Sequence, residues 1–401
     1  MPRDLISVDD ARSRVLAAVR GLPAEAVAAG DAAGRVLAED VLAQLELPPF
    51  DSSAMDGFAL VAGPAGELRV VGESRAGTPY DGQVDPGQAV RISTGAVIPG
   101  GADAVVPVER VEERADTVLV PDVPEGANVR RAGDDVRPGE MVIPAGSELG
   151  PAELGMLAAL GQVEARCARR PRLAVLATGD ELVPPGQPLG PGQIHDSNAV
   201  AIGALARRAG AEPVGRFKAG DTHAATVAAL EEALAAADVL CISGGVSVGP
   251  HDHVRPALQE IGFEQLLWGV RLKPGKPFWF GVRDAAGADA RQYAFGLPGN
   301  PVSALVTFQL FARPALRALQ GANPAAMRST AVLDGPIGAN SDRDQAVRCR
   351  LRMADDGWHA DPTGAQGSHV LSSMIGAGAL AIVPAGERDL APGERVLIEV
   401  L

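Results

Sequence analysis

From Arg172 to about Leu319, short apolar runs alternate with helix-forming stretches, and few folds accommodate that order. Residues 173–177, 213–217 and 239–242 read as strands. Helices are expected from a cap at Asp196, Ser197 and Asn198 to about Arg208, and from Thr222 to Ala236. Further strands are expected at 265–270, 278–281 and 293–296, and a helix from Pro301 to about Leu319. A short strand that is apolar throughout is covered on both faces. The expectation is therefore a mostly parallel sheet with helices on both sides. Ligands in such sheets bind beyond the carboxyl ends of the strands, so the loops leaving those ends are the first place to look for chemistry.

The loop after 239–242 is the richest of them. It reads Ser243, Gly244, Gly245, Val246, Ser247, Val248, Gly249, with Asp252 close behind. Glycine lets successive backbone N–H groups turn toward one point, and the two serines add hydroxyl donors, so Ser243–Gly249 can form an anion cradle. The plainer alternative is a glycine-rich turn with a solvated aspartate. Thr178 to Leu182 (TGDEL), Gly220-Asp221, LKPGKP at 272–277 and LPGNP at 297–301 fall on the same rim. Together they supply donors, cations and carboxylates, which suits a phosphorylated ligand with a divalent metal. The only lysines in the chain are Lys218, Lys273 and Lys276. Two compact ammonium groups in one loop of a chain that otherwise uses arginine fit a phosphate-side role.

Outside this region the texture differs. Ser7 caps an expected helix through 11–19, and the chain to about residue 45 reads as helical with a strand at 41–45. From Pro48 to about Pro144 glycine and proline recur between valine-rich segments, the pattern of a small β domain. Pro151 opens another helix that closes at Gly161. Residues 1–45 and 145–168 are expected to form one discontinuous, mainly helical domain, with 46–144 inserted as the β domain. Residues 169–322 form the α/β domain and 323–401 a C-terminal β domain, with strands at 330–333, 346–353, 379–383 and 395–400. The net charge of −14 without a long basic run argues against a nucleic-acid surface. Three scattered cysteines and no CxxC exclude a cysteine zinc site and a disulfide framework. Cys241 is expected mid-strand and inert. No stretch is long and apolar enough to span a bilayer, so a cytoplasmic protein is the expectation.

Nine segments, in order, resemble the MoeA family, the molybdopterin molybdenumtransferases also represented by the E domain of gephyrin. They are FDSSAMDGFAL (50–60), ISTGAVIPGGADAVV (92–106), GDD (133–135), TGDEL (178–182), GQIHDSN (192–198), CISGGVSVGPHD (241–252), LKPGKP (272–277), GLPGNPVSA (296–304) and SHVLSSM (368–374). The α/β segment taken alone is similar to molybdopterin adenylyltransferases of the Mog type and to CinA-like proteins. Phe58 stands where many relatives carry tyrosine, and His253 where many carry an aromatic residue.

The resemblance implies an elongated four-domain homodimer with a MogA-like α/β domain and a small C-terminal β-barrel. Its active cleft would lie between the α/β domain of one subunit and the β domain of the other. The implied reaction inserts molybdate into adenylyl-molybdopterin and releases AMP. Asp56, Asp135, Glu181 and Asp252 are the implied catalytic carboxylates, and Glu181, Asp221 and Asp252 the implied ligands of Mg²⁺. Thr94, Ser243, Gly244, Gly245, Ser247, Lys273, Lys276, Pro298 and Pro301 are the implied substrate contacts. Molybdopterin adenylyltransferase and molybdoenzyme chaperones are implied partners; nucleic acid and membrane are not. Plainer readings stand beside these. Asp180-Glu181 is a solvated turn pair, Asp221 caps the helix near Thr222, His195 anchors its turn, and His251 and His253 are structural because no third ligand is near. Two other functions remain open, an ATP-consuming adenylyltransferase and a non-catalytic pterin carrier or scaffold.

Overall fold

A computed structural model describes residues 5–246, 252–284 and 291–401 of the chain. The chain divides into two compact units, one of Met1–Ala26, Gly34–Ala38 and Arg166–Leu401, the other of Val27–Ala33 and Glu39–Ala165.

The first unit is built on a six-stranded sheet in the order Glu212–Ala219, Arg172–Thr178, Val239–Ser243, Arg291–Leu297, Trp279–Asp284, Glu264–Trp268. The first four strands are parallel and the last two antiparallel. The alternation of side chains explains the apolar runs. Leu173, Val175, Val239 and Cys241 enter one core with the helix Ser197–Arg208 and the long helical stretch from Pro301 to Leu319. Ala174, Leu176, Leu240 and Ile242 enter the opposite core with His223–Ala236 and Val254–Glu260. Register levels the strand ends: Ala177 faces Ser243, and Ser243 faces Leu297. Three loops therefore leave adjacent strands at one edge.

Local sequence sets the helix starts. The side chains of Ser7, Asp196 and Thr222 accept hydrogen bonds from the backbone N–H of Asp10, Ala199 and Ala225. Asp221 is thus not the cap of its helix; Thr222 is. The N-terminal helix Val8–Ala18 buries Val8, Ala11 and Val15 in the first of these cores. Burying its two valines stabilises the docked helix by roughly 3–6 kcal/mol, which its short length needs. Helix does not continue beyond Ala18 as expected from the alanine content: Gly21 and Pro23 interrupt it, and Ala24–Ala28 is a strand. From Pro301 the chain is helical to Leu319, with a π turn at Phe308–Ala312 whose Leu310 carbonyl accepts from Arg12 Nε at 3.2 Å.

Five strands close into a C-terminal barrel. Asp344–Ala354 pairs with Gly357–Pro362, that with Arg328–Leu333, then Arg395–Val400, then Ala379–Val383, which returns to Asp344–Ala354. Closure removes sheet edges. Gly357–Pro362 is the strand that the sequence reading lacks; its Trp358, His359 and Asp361 break the apolar pattern. Leu272–Lys273 adds in parallel to Asp344–Gln345, which ties the lysine loop to the barrel.

His359 sits in a cluster on this barrel, Nδ1 2.7 Å from Asp334 and Nε2 2.8 Å from Asp356, with Arg352 also at Nδ1. The bonds to Asp334 and then Asp356 raise its pKa above 6.5, and the same bonds lower both aspartates below 3.8. The histidine contribution is fully present below its unfolded pKa and is lost as pH rises through the raised value. The aspartate contributions are present above theirs and are lost as pH falls through the lowered values. Barrel stability is expected to be greatest between about 3.8 and 6.5. Thermal midpoints across pH should lose their alkaline decline in His359→Gln; an unchanged alkaline limb would sink the assignment.

The second unit holds a six-stranded sheet in the order Ala104–Pro107, Gly57–Leu60, Gln88–Ile92, Gly66–Ser74, Thr117–Val120, Glu112–Glu113. Phe58, Leu60, Ala89, Val106 and Val118 form its core. Phe58 is fully buried under the Arg91 guanidinium, 4.8 Å from the ring centroid, so a tyrosine hydroxyl is not missed there.

Candidate functional site

At the carboxyl edge of the parallel strands lies a cleft of about 660 Å³. Thr178 and Glu181 line it from the first loop, Ser243, Gly244 and Gly245 from the central one, and Pro298 and Pro301 from the LPGNP turn. The loops are held by specific contacts. Gly244 N–H donates to the Leu297 carbonyl at 3.0 Å, and Lys218 Nζ donates to the Leu182 carbonyl at 2.7 Å. Gly244 and Gly245 have φ of +91° and +65°, and a Cβ on Gly245 would stand 2.5 Å from Val254 Cγ2. Positive φ and close approach together restrict both positions to glycine. Gly179, at φ +124°, lies under the Glu181 carboxylate, where a Cβ would meet Oε2 at 2.2 Å. Ser247 and Gly249 of the expected cradle, and His251, lie outside the described residues.

Two helices begin at this cleft. Ser197–Arg208 opens with Asp196, Ser197 and Asn198 on its wall, and Pro301 starts the other. Of their first-turn N–H groups, that of Ala199 donates to Asp196 Oδ1 at 2.9 Å and that of Val302 to the Ser368 carbonyl at 3.1 Å, and Pro301 has none, so what these helix starts offer an anion is the partial positive charge of the helix ends.

A second concavity of about 310 Å³ adjoins the first and shares Pro277, Pro298 and Asn300 with it. Lys273, Lys276 and Arg343 line it, with Ser303, Gln366 and Ser368. Three cations converge here in a chain of net charge −14, so the local field opposes the global one. Gly275 keeps the lysine loop close to the helix from Pro301, because a Cβ would stand 2.7 Å from Thr307 Cγ2.

The remaining sequence-expected residues lie elsewhere. Asp221 is exposed just before Thr222, and Asp252 is half-buried just before Val254–Glu260; neither is part of the lining of either concavity. Among the described residues no three carboxylate, histidine or cysteine side chains come together as a metal cage. In the second unit Asp56 Oδ1 accepts from the Thr94 backbone N–H at 2.8 Å, which makes those two one constellation. Asp51 accepts from Ala132 N–H at 2.8 Å and from Arg131 at 2.6 Å, fastening the segment before Asp56 to the turn that carries Asp135. The Ala132 N–H bond, with Arg131 adding, holds the Asp51 carboxyl below its usual range. Cys241 is buried and its thiol is pushed far up by desolvation, so it is no nucleophile. Trp279 is core, and Trp268 spends its indole N–H on the Val246 carbonyl.

Sequence reasoning gave no ligand role to His195, Asn198, Asn300, Arg343 or His369, all of which line the two concavities. Asn198 carried a signal: a polar amide at the second position of a helix leaving the rim. Arg343 and His369 both come from the barrel; His369 lies in the SHVLSSM segment (368–374) noted in the sequence, and nothing local marks Arg343.

Comparison with known proteins agrees along the whole chain. Residues 6–161 match the MoeA N-terminal region (domain I and II), 174–318 a probable molybdopterin binding domain, and 330–401 the MoeA C-terminal region (domain IV). The chain is 35% identical over 409 residues to the molybdopterin molybdenumtransferase of Haemophilus influenzae, covering 98% of each chain. It is 36% identical over 382 residues to molybdopterin molybdenumtransferase 2 of Mycobacterium tuberculosis, covering 92% of each. A crystal structure of the molybdopterin biosynthesis protein moeA of Pyrococcus horikoshii superposes with a TM-score of 0.83 at 30% identity, over 99% of both chains.

Proposed function

The chain belongs to the MoeA family, whose curated members are molybdopterin molybdenumtransferases, and we propose that it inserts molybdate into adenylyl-molybdopterin in the cytoplasm. It is a transferase of molybdenum-cofactor biosynthesis. The observation that carries the mechanistic reading is the pair of adjoining concavities. An oxyanion must be held next to an organic phosphate ester, and here a three-cation pocket opens beside a cleft lined by Ser243, Gly244 and Gly245 and by the starts of two helices. Lys273, Lys276 and Arg343 hold molybdate. The cleft at Ser243–Gly245 holds the pyrophosphate link. The dithiolene sulfurs replace oxygens on molybdenum, the P–O bond of the link breaks, and AMP leaves. The new phosphate oxygen comes from water or from an oxygen released by molybdate.

Magnesium fits the donor chemistry of this edge without a protein cage, because Mg²⁺ is usually held by one or two carboxylates plus substrate phosphates. Glu181 on the cleft wall offers one carboxylate, while Asp221 and Asp252, the other carboxylates expected to hold the ion, lie outside the lining of the cleft, so substrate phosphates would supply the remaining ligands. Bound there, the ion would neutralise charge on the pyrophosphate oxygens. Glu181 itself is oriented by its own loop, which Lys218 pins by its carbonyls. We further propose a homodimer in which Asp56, Thr94 and Asp135 of a second copy complete the site, orienting substrate or moving a proton.

The test is AMP release by purified protein from adenylyl-molybdopterin, anaerobically, with Mg²⁺, with and without molybdate. Molybdate-dependent AMP release with metal-loaded product is the expected result. ATP consumption on unadenylylated molybdopterin would favour the adenylyltransferase reading, and tight binding without AMP release the carrier.

A further inference from the structure

In the second unit Asp56 and Asp135 are both exposed. An exposed side chain on a loop is placed only as well as the backbone that carries it, so whatever fixes these loops fixes the carboxylates. Much of the lacing is backbone. Ser52–Ser53 pairs antiparallel with Val129–Arg130, Gly95 N–H donates to the Ser53 carbonyl at 2.8 Å, and Asp135 N–H donates to the Leu47 carbonyl at 2.9 Å.

Asp51 ties these segments together from one residue. Its carbonyl accepts from Ile98 N–H at 3.0 Å, just beyond the turn that carries Thr94. Its Oδ1 accepts from Ala132 N–H at 2.8 Å and its Oδ2 from Arg131 Nη1 at 2.6 Å, at the start of the turn that carries Asp135. Asp56, farther along the Asp51 segment, accepts from Thr94 N–H at 2.8 Å. The Asp51 carboxylate is short and held at both oxygens, so it acts as a spacer of fixed length. The pair with Arg131 is half-exposed and contributes little by itself. The bond to Ala132 is made to backbone, and it fixes where the 131–135 turn stands relative to 51–56.

We infer that Asp51 is a positioning residue for the reaction: through the Ala132 N–H its carboxylate sets the spacing between the loops of Asp56 and Asp135, so that the second unit presents those two carboxylates preformed. The inference rests on the functional reading above, in which Asp56, Thr94 and Asp135 complete the site, and its test separates the two.

Three full-length variants isolate the spacing. Asp51→Asn keeps the length and the acceptor for Ala132 and gives up the charge. Asp51→Glu keeps the charge and lengthens the arm by a methylene, and Asp51→Ala removes both. The kcat of AMP release is expected to fall about tenfold to a hundredfold in Asp51→Glu and Asp51→Ala, the size of a displacement on the order of 1 Å. In Asp51→Asn it should stay within about threefold of the unaltered protein, and KM for adenylyl-molybdopterin and half-saturation by molybdate should move less than about threefold in all, since the pockets that hold them lie in the first unit. Amide hydrogen exchange reads the same spacing without substrate. The N–H groups of Thr94 and Asp135 should exchange about tenfold faster in Asp51→Glu and Asp51→Ala and at the unaltered rate in Asp51→Asn. Undiminished kcat or unchanged exchange in Asp51→Glu or Asp51→Ala would overturn the inference. So would an equal loss in Asp51→Asn, which would make charge the essential property, or a loss that appears in KM alone. Should Asp51→Ala fail to fold, judged by its thermal midpoint, Asp51→Asn and Asp51→Glu decide between them. Failure of the unaltered protein to release AMP would instead sink the functional reading, and the exchange rates alone then decide the spacing.

Discussion

Replacing Lys273 and Lys276 together by glutamine is expected to raise the molybdate concentration for half-maximal AMP release by about 10²–10⁴-fold. Hydrogen bonds to charged groups contribute roughly 1.5–3 kcal/mol each, so two are about 3–6 kcal/mol, and each 1.4 kcal/mol is about tenfold. Both side chains are exposed, so fold stability should hardly change, and the thermal midpoint should stay near that of the unaltered protein. Arg343 remains in the pocket and keeps some affinity, which is why the loss is finite. Saturating molybdate should recover much of the rate, since the lysines act on binding. An unchanged molybdate dependence would remove the smaller pocket from the mechanism and leave the anion to the larger cleft.

That prediction draws on residues visible in the sequence and on one that is not. The lysine loop stood out because the chain has only three lysines. Arg343 did not, because it reaches the pocket through the pairing of Leu272–Lys273 with Asp344–Gln345. Across the α/β domain, strands and helices were legible because each is a local pattern: apolar runs buried on both faces, and capped helix starts at Asp196 and Thr222. Register is not local. Only the alignment of Ala177, Ser243 and Leu297 puts the three loops on one edge, although the parallel order made that edge the expected one. Alanine content misled at Ala24–Ala28, where Gly21 and Pro23 outweigh propensity. Gly357–Pro362 was invisible because its partners supply burial that its own polar sequence does not advertise.

The barrel contributes to the site through a buried cation, and this gives the second large effect. Arg348 is 1% exposed on the strand Asp344–Ala354. Its guanidinium donates to Ser373 Oγ at 3.2 and 3.1 Å, to the Ala365 carbonyl at 3.4 Å and to the Gly367 carbonyl at 3.3 Å. Burial works against its charge, and none of these partners is a carboxylate. What it does is hold residues 363–374 closed over the barrel. That loop carries Ser368, whose Oγ accepts from Asn300 at 3.1 Å and whose carbonyl accepts from Val302 N–H at 3.1 Å. It also carries His369 on the wall of the larger cleft. Arg348→Met would leave buried acceptors unpaired at roughly 1–3 kcal/mol each, so a loss of about 3 kcal/mol is expected, with a clear fall in the barrel's unfolding temperature. Activity should fall at least tenfold even at a temperature where the variant is folded, because the released loop no longer fixes Ser368 and His369. Arg348→Lys should restore little, since one ammonium cannot span three acceptors that a planar fork reaches together. A folded Arg348→Met protein with undiminished turnover and molybdate dependence would show that the loop's position is irrelevant to the reaction, and would confine the barrel's role to stability.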